Sequence, residues 1–409
     1  MILALGENVS MKKILVIGGG AYQVPLIRRI QELGYESYCV DRNAKSEGFL
    51  YASGYKTCDV IDKEACLAYA KDLEISAVMT YGATLTLPTV AYIGQKLGLP
   101  ALPVETAEIA KNKFHIKQRL IQSGCNCYGK CFKIVRGDNL DPDEISFPCV
   151  IKPCDGSGSK GVSIVNNQTE LSEALKYAFS SARYGEIYYE DFVDGSEYSV
   201  EAFVNNSKPY IYGIVKTTFK QTGEDNESIE YGHRVPAGLS ENIEKAIANE
   251  VKKAIKALNI TMFSVNFDVI VSKTDKKVYI IDCGIRVGQN LLASHLIPLS
   301  CGVNIMDQTI NLALGNSIDA KPGCRKYIAS RLLIYNPGTI INIKDTKELL
   351  NKNGVVDVVL RKKRGEQQKI FKEKSDTCGW VICEGTSPDE AEANASMARK
   401  SLRAYFEIR

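Results

Sequence analysis

From residue 11 onward the apolar positions alternate between short unbroken runs and spaced helical stripes. Ile14-Leu15-Val16-Ile17 is a compact buried-strand run that ends in the glycine turn Gly18-Gly19-Gly20. Tyr22 to Leu33 carries helical spacing, Gly34 stops it, and Glu36 to Asp41 reads as a second strand. The alternation repeats through a helix at 65–73, a strand at 77–81 and a helix at 86–97 closed by Gly98-Leu99-Pro100. This spacing predicts an α/β domain built on a parallel sheet over residues 11–103, with residues 1–10 a leader of uncertain role.

The texture then changes. A helix is predicted from about Val104, carrying Lys113 and ending at Gly124, followed by β-branched and aromatic strands at 130–135, 149–152 and 162–165. A helix at 170–179 and a strand at 187–192 complete an α+β module. Longer strands at 198–204, 210–218, 263–271 and 278–282, with a helix at 243–258, predict an antiparallel sheet with flanking helices, the whole α+β unit covering 104–320. A helix at 307–314 closes it. Strands at 327–334 and 355–360 and a helix at 388–406 then predict a small α+β C-terminal domain over 321–409. No internal repeat is present.

Composition excludes more than it identifies. At 409 residues, 45% apolar and 24% charged, the chain reads as globular and too long for one core. The net charge of +3 has both signs interspersed, which leaves no footprint for nucleic acid or an anionic membrane and favours small-molecule partners. No apolar run approaches the roughly 20 residues that span a bilayer, and no export signal precedes the first strand, so a cytoplasmic protein is expected. Thirteen cysteines then read as reduced, buried thiols. The cluster Cys125, Cys127 and Cys131 has neither a CxxC pair nor a neighbouring His, which argues against zinc.

Four segments carry chemistry. The Gly18–Gly20 turn lacks the third glycine of a dinucleotide fingerprint, since Ala21-Tyr22-Gln23 follows, so a structural turn is the better reading. Lys152-Pro153-Cys154-Asp155-Gly156-Ser157-Gly158-Ser159-Lys160-Gly161 lies between two strands. Its small residues leave amides free to surround phosphate oxygens, with lysines as countercharge, although a plain glycine hairpin shares the pattern. Glu190-Asp191-Phe192-Val193-Asp194-Gly195-Ser196-Glu197 sets two carboxylates across a turn where backbone can read an adenine edge and Glu197 a ribose. Asp268 and Asp282 lie in apolar strands and call for cations, either Mg²⁺ bridging phosphates or Arg286 in a structural ion pair.

The joint order of these elements resembles the ATP-grasp superfamily, and the match runs through nearly the whole chain from Met11. The resemblance implies a nucleotide held between two α+β subdomains, one a mobile lid at about 125–190, behind the parallel-sheet domain. It implies phosphate contacts from Lys113, Lys152 and the loop residues Gly156, Ser157, Gly158, Ser159 and Gly161. Glu190 and the backbone of Phe192 and Val193 would face adenine, and Glu197 the ribose. Asp268 and Asp282 would hold Mg²⁺ (or Mn²⁺), and ATP is the implied nucleotide. The stretch Asp376 to Ala391 looks like the terminal domain of the biotin carboxylase-like and L-amino acid ligase-like branches, and Glu230 to Ala237 resembles the substrate loop of the latter.

Two departures stand out. The acidic-x-Asn-x-Arg pattern reads Asp282-Cys283-Gly284-Ile285-Arg286, so an Asn ligand is missing. Gly288 and Asn290 replace the bicarbonate-binding Gln and Glu, which disfavours bicarbonate activation. The implied reaction joins carboxylate and amine through an acyl-phosphate, with Arg286 and Lys152 as catalytic cations. His233 either orients substrate and accepts the amine proton or makes a loop hydrogen bond. A regulatory nucleotide-binding protein without turnover, or a carbamoyl-phosphate or purine-pathway type enzyme, are the alternatives. A homodimer is expected on the same resemblance.

Overall fold

The computed structural model describes residues 11–409 except 139, 141–143, 157, 159, 223–226, 289–290, 351 and 372–375. Strand β1 (Lys13–Ile17), helix α1 (Val24–Glu32), strands β2 (Glu36–Asp41) and β3 (Gly54–Thr57), helix α2 (Lys63–Leu73), strand β4 (Ala77–Met79) and helix α3 (Leu87–Leu97) form the opening unit. Its four strands are parallel in the order β3-β2-β1-β4. The unbroken apolar run of β1 follows from burial on both faces. Ile14 and Val16 pack with Leu26, Ile27 and Ile30 of α1, whereas Leu15 and Ile17 pack with Cys66 and Ala70 of α2 and Ile93 of α3.

The glycine turn after β1 is filled by the chain itself. The Gly19 amide donates to Asp41 Oδ2 (3.0 Å) and the Gly48 amide to the Gly19 carbonyl (2.6 Å). A side chain on Gly19 would meet the Phe49 ring at 3.2 Å. These contacts tie the turn to β2 and to the segment at Gly48.

The single helix expected from 104 to 124 is two: α4 (Val104–Ala110) and α5 (Lys113–Gln122). Asn112 breaks the run by taking extended backbone and capping α5, its Oδ1 accepting from the His115 amide at 3.1 Å. Then come β5 (Cys131–Val135), β6 (Cys149–Pro153), β7 (Ser163–Val165), α6 (Gln168–Ser181) and β8 (Glu186–Asp191), an antiparallel sheet in the order β5-β8-β6-β7 with α6 on its core.

The largest sheet has eight strands. It draws on β9 (Gly195–Asn205), β10 (Lys208–Thr222), β11 (Glu227–Val235), β12 (Phe263–Ser272) and β13 (Val278–Gly284), with α7 (Glu241–Ala257) between β11 and β12. After α8 (Ile297–Cys301) and α9 (Ile305–Ala313) the chain adds β14 (Tyr327–Leu332), β15 (Gly338–Ile343), β16 (Val355–Leu360), β17 (Gln367–Gln368), β18 (Gly379–Gly385), α10 (Pro388–Leu402) and β19 (Phe406–Ile408). The order is β13-β12-β9-β10-β11-β14-β18-β16, so the sheet runs without interruption across the boundary expected at 320. The segment Glu230–Ala237, read from sequence as a loop, is mostly strand β11. It is paired on both sides, with Arg234 opposite Lys216 and Ala329. Arg29 of α1 grips Asp307 of α9 through Nε and Nη2 at 2.7 and 2.8 Å, fastening the opening unit to the large one.

Candidate active site

Lys113 begins α5, and its backbone amide donates to the Cys154 carbonyl (2.7 Å) just after β6. That bond ties the helix start to the glycine loop. Its ammonium pairs with Asp282. One turn later Lys117, 4% exposed, reaches the Ile280 carbonyl at 3.0 Å and Glu190 Oε2 at 3.1 Å. Lys152 on β6 holds Glu190 Oε1 at 2.5 Å, its ammonium lying 5.1 Å from the centre of the Tyr188 ring. A buried Lys117–Glu190–Lys152 cluster therefore joins α5 to β6 and β8. Burial alone would raise the Glu190 carboxyl, but Lys152 and Lys117 outweigh it and hold it below the usual carboxylate range. Lys152 is raised in turn: burial opposes its charge, and Glu190 and Asp282 overcome that cost.

Asp268 on β12 stands opposite Asp282 on β13 and Ser199 on β9. Its Oδ1 accepts from Ser199 Oγ at 2.8 Å. Burial, reinforced by the like charge of Asp282, raises the Asp268 carboxyl. Asp282 goes the other way, pulled down to about 2 because Lys113 and Lys152 overcome its burial. Among the described residues no three His, Cys, Asp or Glu side chains form a cation cage. The acidic pair instead fits Mg²⁺, which takes one or two carboxylates and completes its shell with phosphate oxygens and water.

In the glycine loop, Asp155 accepts the backbone amides of Arg183 and Tyr184 at 3.2 and 3.0 Å, anchoring the loop beyond the end of α6. Gly161 has φ +79°, and a side chain there would lie 2.6 Å from Ser181 Cβ, so only glycine closes this turn. A Cβ on Gly158 would meet nothing within 4 Å, whereas Ser157 and Ser159 lie outside the described residues. Phe192 and Val193 form the link from β8 to β9, and Glu197 lies on β9 opposite Ile270 of β12.

Arg286 follows β13, its Nη1 3.4 Å from the Val287 carbonyl. At Gly284, where the Asn is absent, a Cβ would sit 3.1 Å from Arg286 Nε, so the guanidinium lies close over bare backbone. Of the two residues expected to replace a bicarbonate grip, Asn290 lies outside the described residues, whereas Gly288 presses against Glu201, a residue the sequence reading passed over.

His233 departs from expectation in placement. It lies within β11, 3% exposed, with Nε2 3.3 Å from Glu230 Oε1 and its backbone amide donating to Ser330 Oγ at 3.2 Å. Beside it Arg331, 4% exposed, bonds Glu392 Oε1 (2.9 Å), and Arg234 holds the other oxygen of that carboxylate at 2.9 Å. Lys117, Glu201 and Arg331 were missed because a lone charge on an amphipathic element reads as solvent-facing until its distant partner is seen.

Residues 145–293 match the ATP-grasp domain and residues 331–407 match the L-amino acid ligase C-terminal domain 2. The chain is 25% identical over 338 residues to an uncharacterised protein of Sinorhizobium fredii, covering 81% of this chain and 68% of that one. It is 26% identical to the formate-dependent phosphoribosylglycinamide formyltransferase of Rhodococcus jostii, over 53% of this chain and 51% of that one. The match to the same enzyme of Delftia acidovorans is also 26%, over 58% and 64%. The chain thus spans about half to two thirds of these relatives. In fold it is similar to an L-amino acid ligase from Bacillus licheniformis (TM-score 0.77, 22% identity, 97% and 98% of the two chains). It is equally similar to phosphoribosylglycinamide synthetase from Anaerococcus prevotii (TM-score 0.76, 21% identity, 97% and 99%). With the parallel-sheet domain and the lysine and carboxylate cluster in place, the chain carries an ATP-grasp domain over residues 145–293 followed by an L-amino acid ligase type C-terminal domain over residues 331–407.

Proposed function

We propose that the protein is an ADP-forming ligase that joins a carboxylate to an amine through an acyl-phosphate, with an amino acid as at least one substrate. The observation that carries this reading is that Lys113 of α5, Lys152 of β6 and Asp268 of β12 gather around Asp282 of β13, with Arg286 two residues beyond that strand and the Lys113 amide bonded to the Cys154 carbonyl beside the glycine loop. Lys113, Lys152 and the amides of Gly156, Gly158 and Gly161 hold phosphate oxygens, and Asp268 with Asp282 holds Mg²⁺. The metal, when bound, neutralises charge on the transferring phosphoryl group. Glu190 and the Phe192–Val193 backbone face the adenine, and Glu197 the ribose.

Lys152 sits on Glu190 and Lys113 on Asp282, so binding nucleotide exchanges internal ion pairs for phosphate contacts. Arg286 offers a planar fork to the substrate carboxylate and to the acyl-phosphate oxygens. Strands β5 to β8 serve as the lid, and its closure keeps water from the intermediate. His233, buried behind Glu230, orients substrate through that carboxylate rather than taking the amine proton itself. No helix among the described residues is long and apolar enough to cross a membrane. Small-molecule substrates in the cytoplasm complete the reading.

The test is ADP release with Mg²⁺ and ATP against a panel of amino acid pairs, using Asp282→Ala and Arg286→Ala as controls. A product of dipeptide mass that needs both substrates and vanishes in both variants is the expected outcome. Tight ATP binding without turnover across the panel would support the regulatory alternative, which the Gly284 departure favours.

A further inference from the structure

Glu201 lies in the middle of the large sheet with no exposed surface, on β9 between Asn266 of β12 and Gly213 of β10. Asn266 Nδ2 donates to its Oε1 at 2.7 Å and to Ser199 Oγ at 2.8 Å, and Ser199 passes a hydrogen bond on to Asp268 at 2.8 Å. On the other side the Gly288 backbone lies against the same carboxylate and favours its charged form. The approach is so close that a Cβ on Gly288 would stand 2.2 Å from Glu201 Oε1. Oε2 is buried without a hydrogen-bond partner. A group this costly in a strand otherwise filled by Val200, Ala202 and Phe203 is not there for packing, since an apolar residue of its size would stabilise the sheet more.

We infer that Glu201 is a positioning residue: it holds the Gly288 end of the Arg286 loop and, through Asn266 and Ser199, couples that loop to the metal-binding carboxylate Asp268. This deepens the ligase reading and rests on it for the identity of the reaction, but the coupling itself is a property of the fold. The charged groups that face Glu201 are Arg286 from the loop, which favours its ionised form, and Asp268 from β12, which disfavours it; the Tyr81 hydroxyl, beyond β4, also senses its charge. Burial pushes the carboxyl up to about 7, so the group stands between its two states near neutral pH. Gly288 is the complementary device, since only bare backbone can approach the carboxylate this closely. A shift of loop position by about 1 Å is enough to cost roughly a hundredfold in turnover.

The experiment uses the full chain, as wild type, Glu201→Gln and Gly288→Ala, with ¹⁵N-glycine labelling. The Gly288 amide signal is assigned by its loss in Gly288→Ala. In the wild type that signal moves when Mg²⁺ and ADP are added together, and in Glu201→Gln the response falls at least about threefold, at unchanged or raised thermal stability. With a working substrate pair, Glu201→Gln lowers kcat by roughly 10- to 100-fold and leaves the KM for ATP within about twofold. A Gly288 response identical in wild type and Glu201→Gln overturns the inference, as does full kcat in Glu201→Gln. If no pair turns over while the Gly288 response is lost in Glu201→Gln, the coupling stands and the ligase reading is what fails.

Discussion

Glu190 and Glu201 are both buried carboxylates at the candidate site, one on β8 and one on β9, and they are held in opposite ways. Glu190 lies between two ammonium groups, Lys152 at 2.5 Å and Lys117 at 3.1 Å, which hold it below the usual carboxylate range. Glu201 accepts from the Asn266 amide side chain and packs against the Gly288 backbone, senses Arg286 and Asp268 with opposing effects, and is pushed up to about 7. Burial acts on both in the same direction. What separates them is the number of cations in reach, so the charge of a buried glutamate is set by its neighbours and not by its depth.

The largest effect that breaks this contrast comes from Glu190→Gln. It leaves Lys117 and Lys152 facing each other in a buried site without countercharge, and the expected loss is about 3–5 kcal/mol in urea unfolding at neutral pH. Glu201→Gln moves stability the other way. Its folded carboxyl, at about 7, lies above the unfolded value of about 4.3, so the native state keeps a proton that the unfolded chain has lost. Stability from this group is therefore complete below about pH 4 and is lost as pH rises to 7 and beyond. Replacing it by Gln gains up to about 3 kcal/mol at pH 8 and almost nothing at pH 4, a difference that thermal melts at the two pH values would reveal.

Lys117→Met sharpens the comparison by leaving Glu190 one cation. A loss of about 1.5–3 kcal/mol is expected, because the methionine recovers the packing of the lysine stem but not its ion pair. ATP affinity also falls, since Lys152 is then the only countercharge to Glu190 among the described residues and leaves it less readily for phosphate; titration with nucleotide would show it. The smallest effect is at Lys133→Ala. That lysine pairs with Glu186 on the same sheet, but both side chains are about one third exposed, and about 0.5 kcal/mol or less is expected in the same urea assay.

The sequence was most legible where the pattern was local. The doubly buried run Ile14–Ile17, the glycine loop from Asp155 to Gly161 and the apolar strands bearing Asp268 and Asp282 all announce themselves within a few residues of chain. Lys117 and Glu201 do not. In Ser199-Val200-Glu201-Ala202 the alternation assigns Glu201 to a solvent face, and only the Gly288 backbone arriving from another segment shows that this face is covered. Asn112 was equally hidden: a continuous helical stripe conceals a capping residue unless its backbone is seen to leave the helix. Strand β11 escaped because its pairing with β14 joins positions nearly a hundred residues apart along the chain, and no periodicity reports that.

The unbroken eight-stranded sheet has a consequence for how the protein is made. Strand β14 is the partner of β11, and β18 and β16 arrive later still. A nascent chain that has emerged only as far as residue 320 therefore presents a bare β11 edge to its surroundings, a template for sticking to other chains. The strands that carry Asp268 and Asp282 can pair before that point, but the sheet that supports them closes only after the last hundred residues have left the ribosome. A fragment cut at the apparent domain boundary should accordingly aggregate rather than fold as a smaller nucleotide-binding unit.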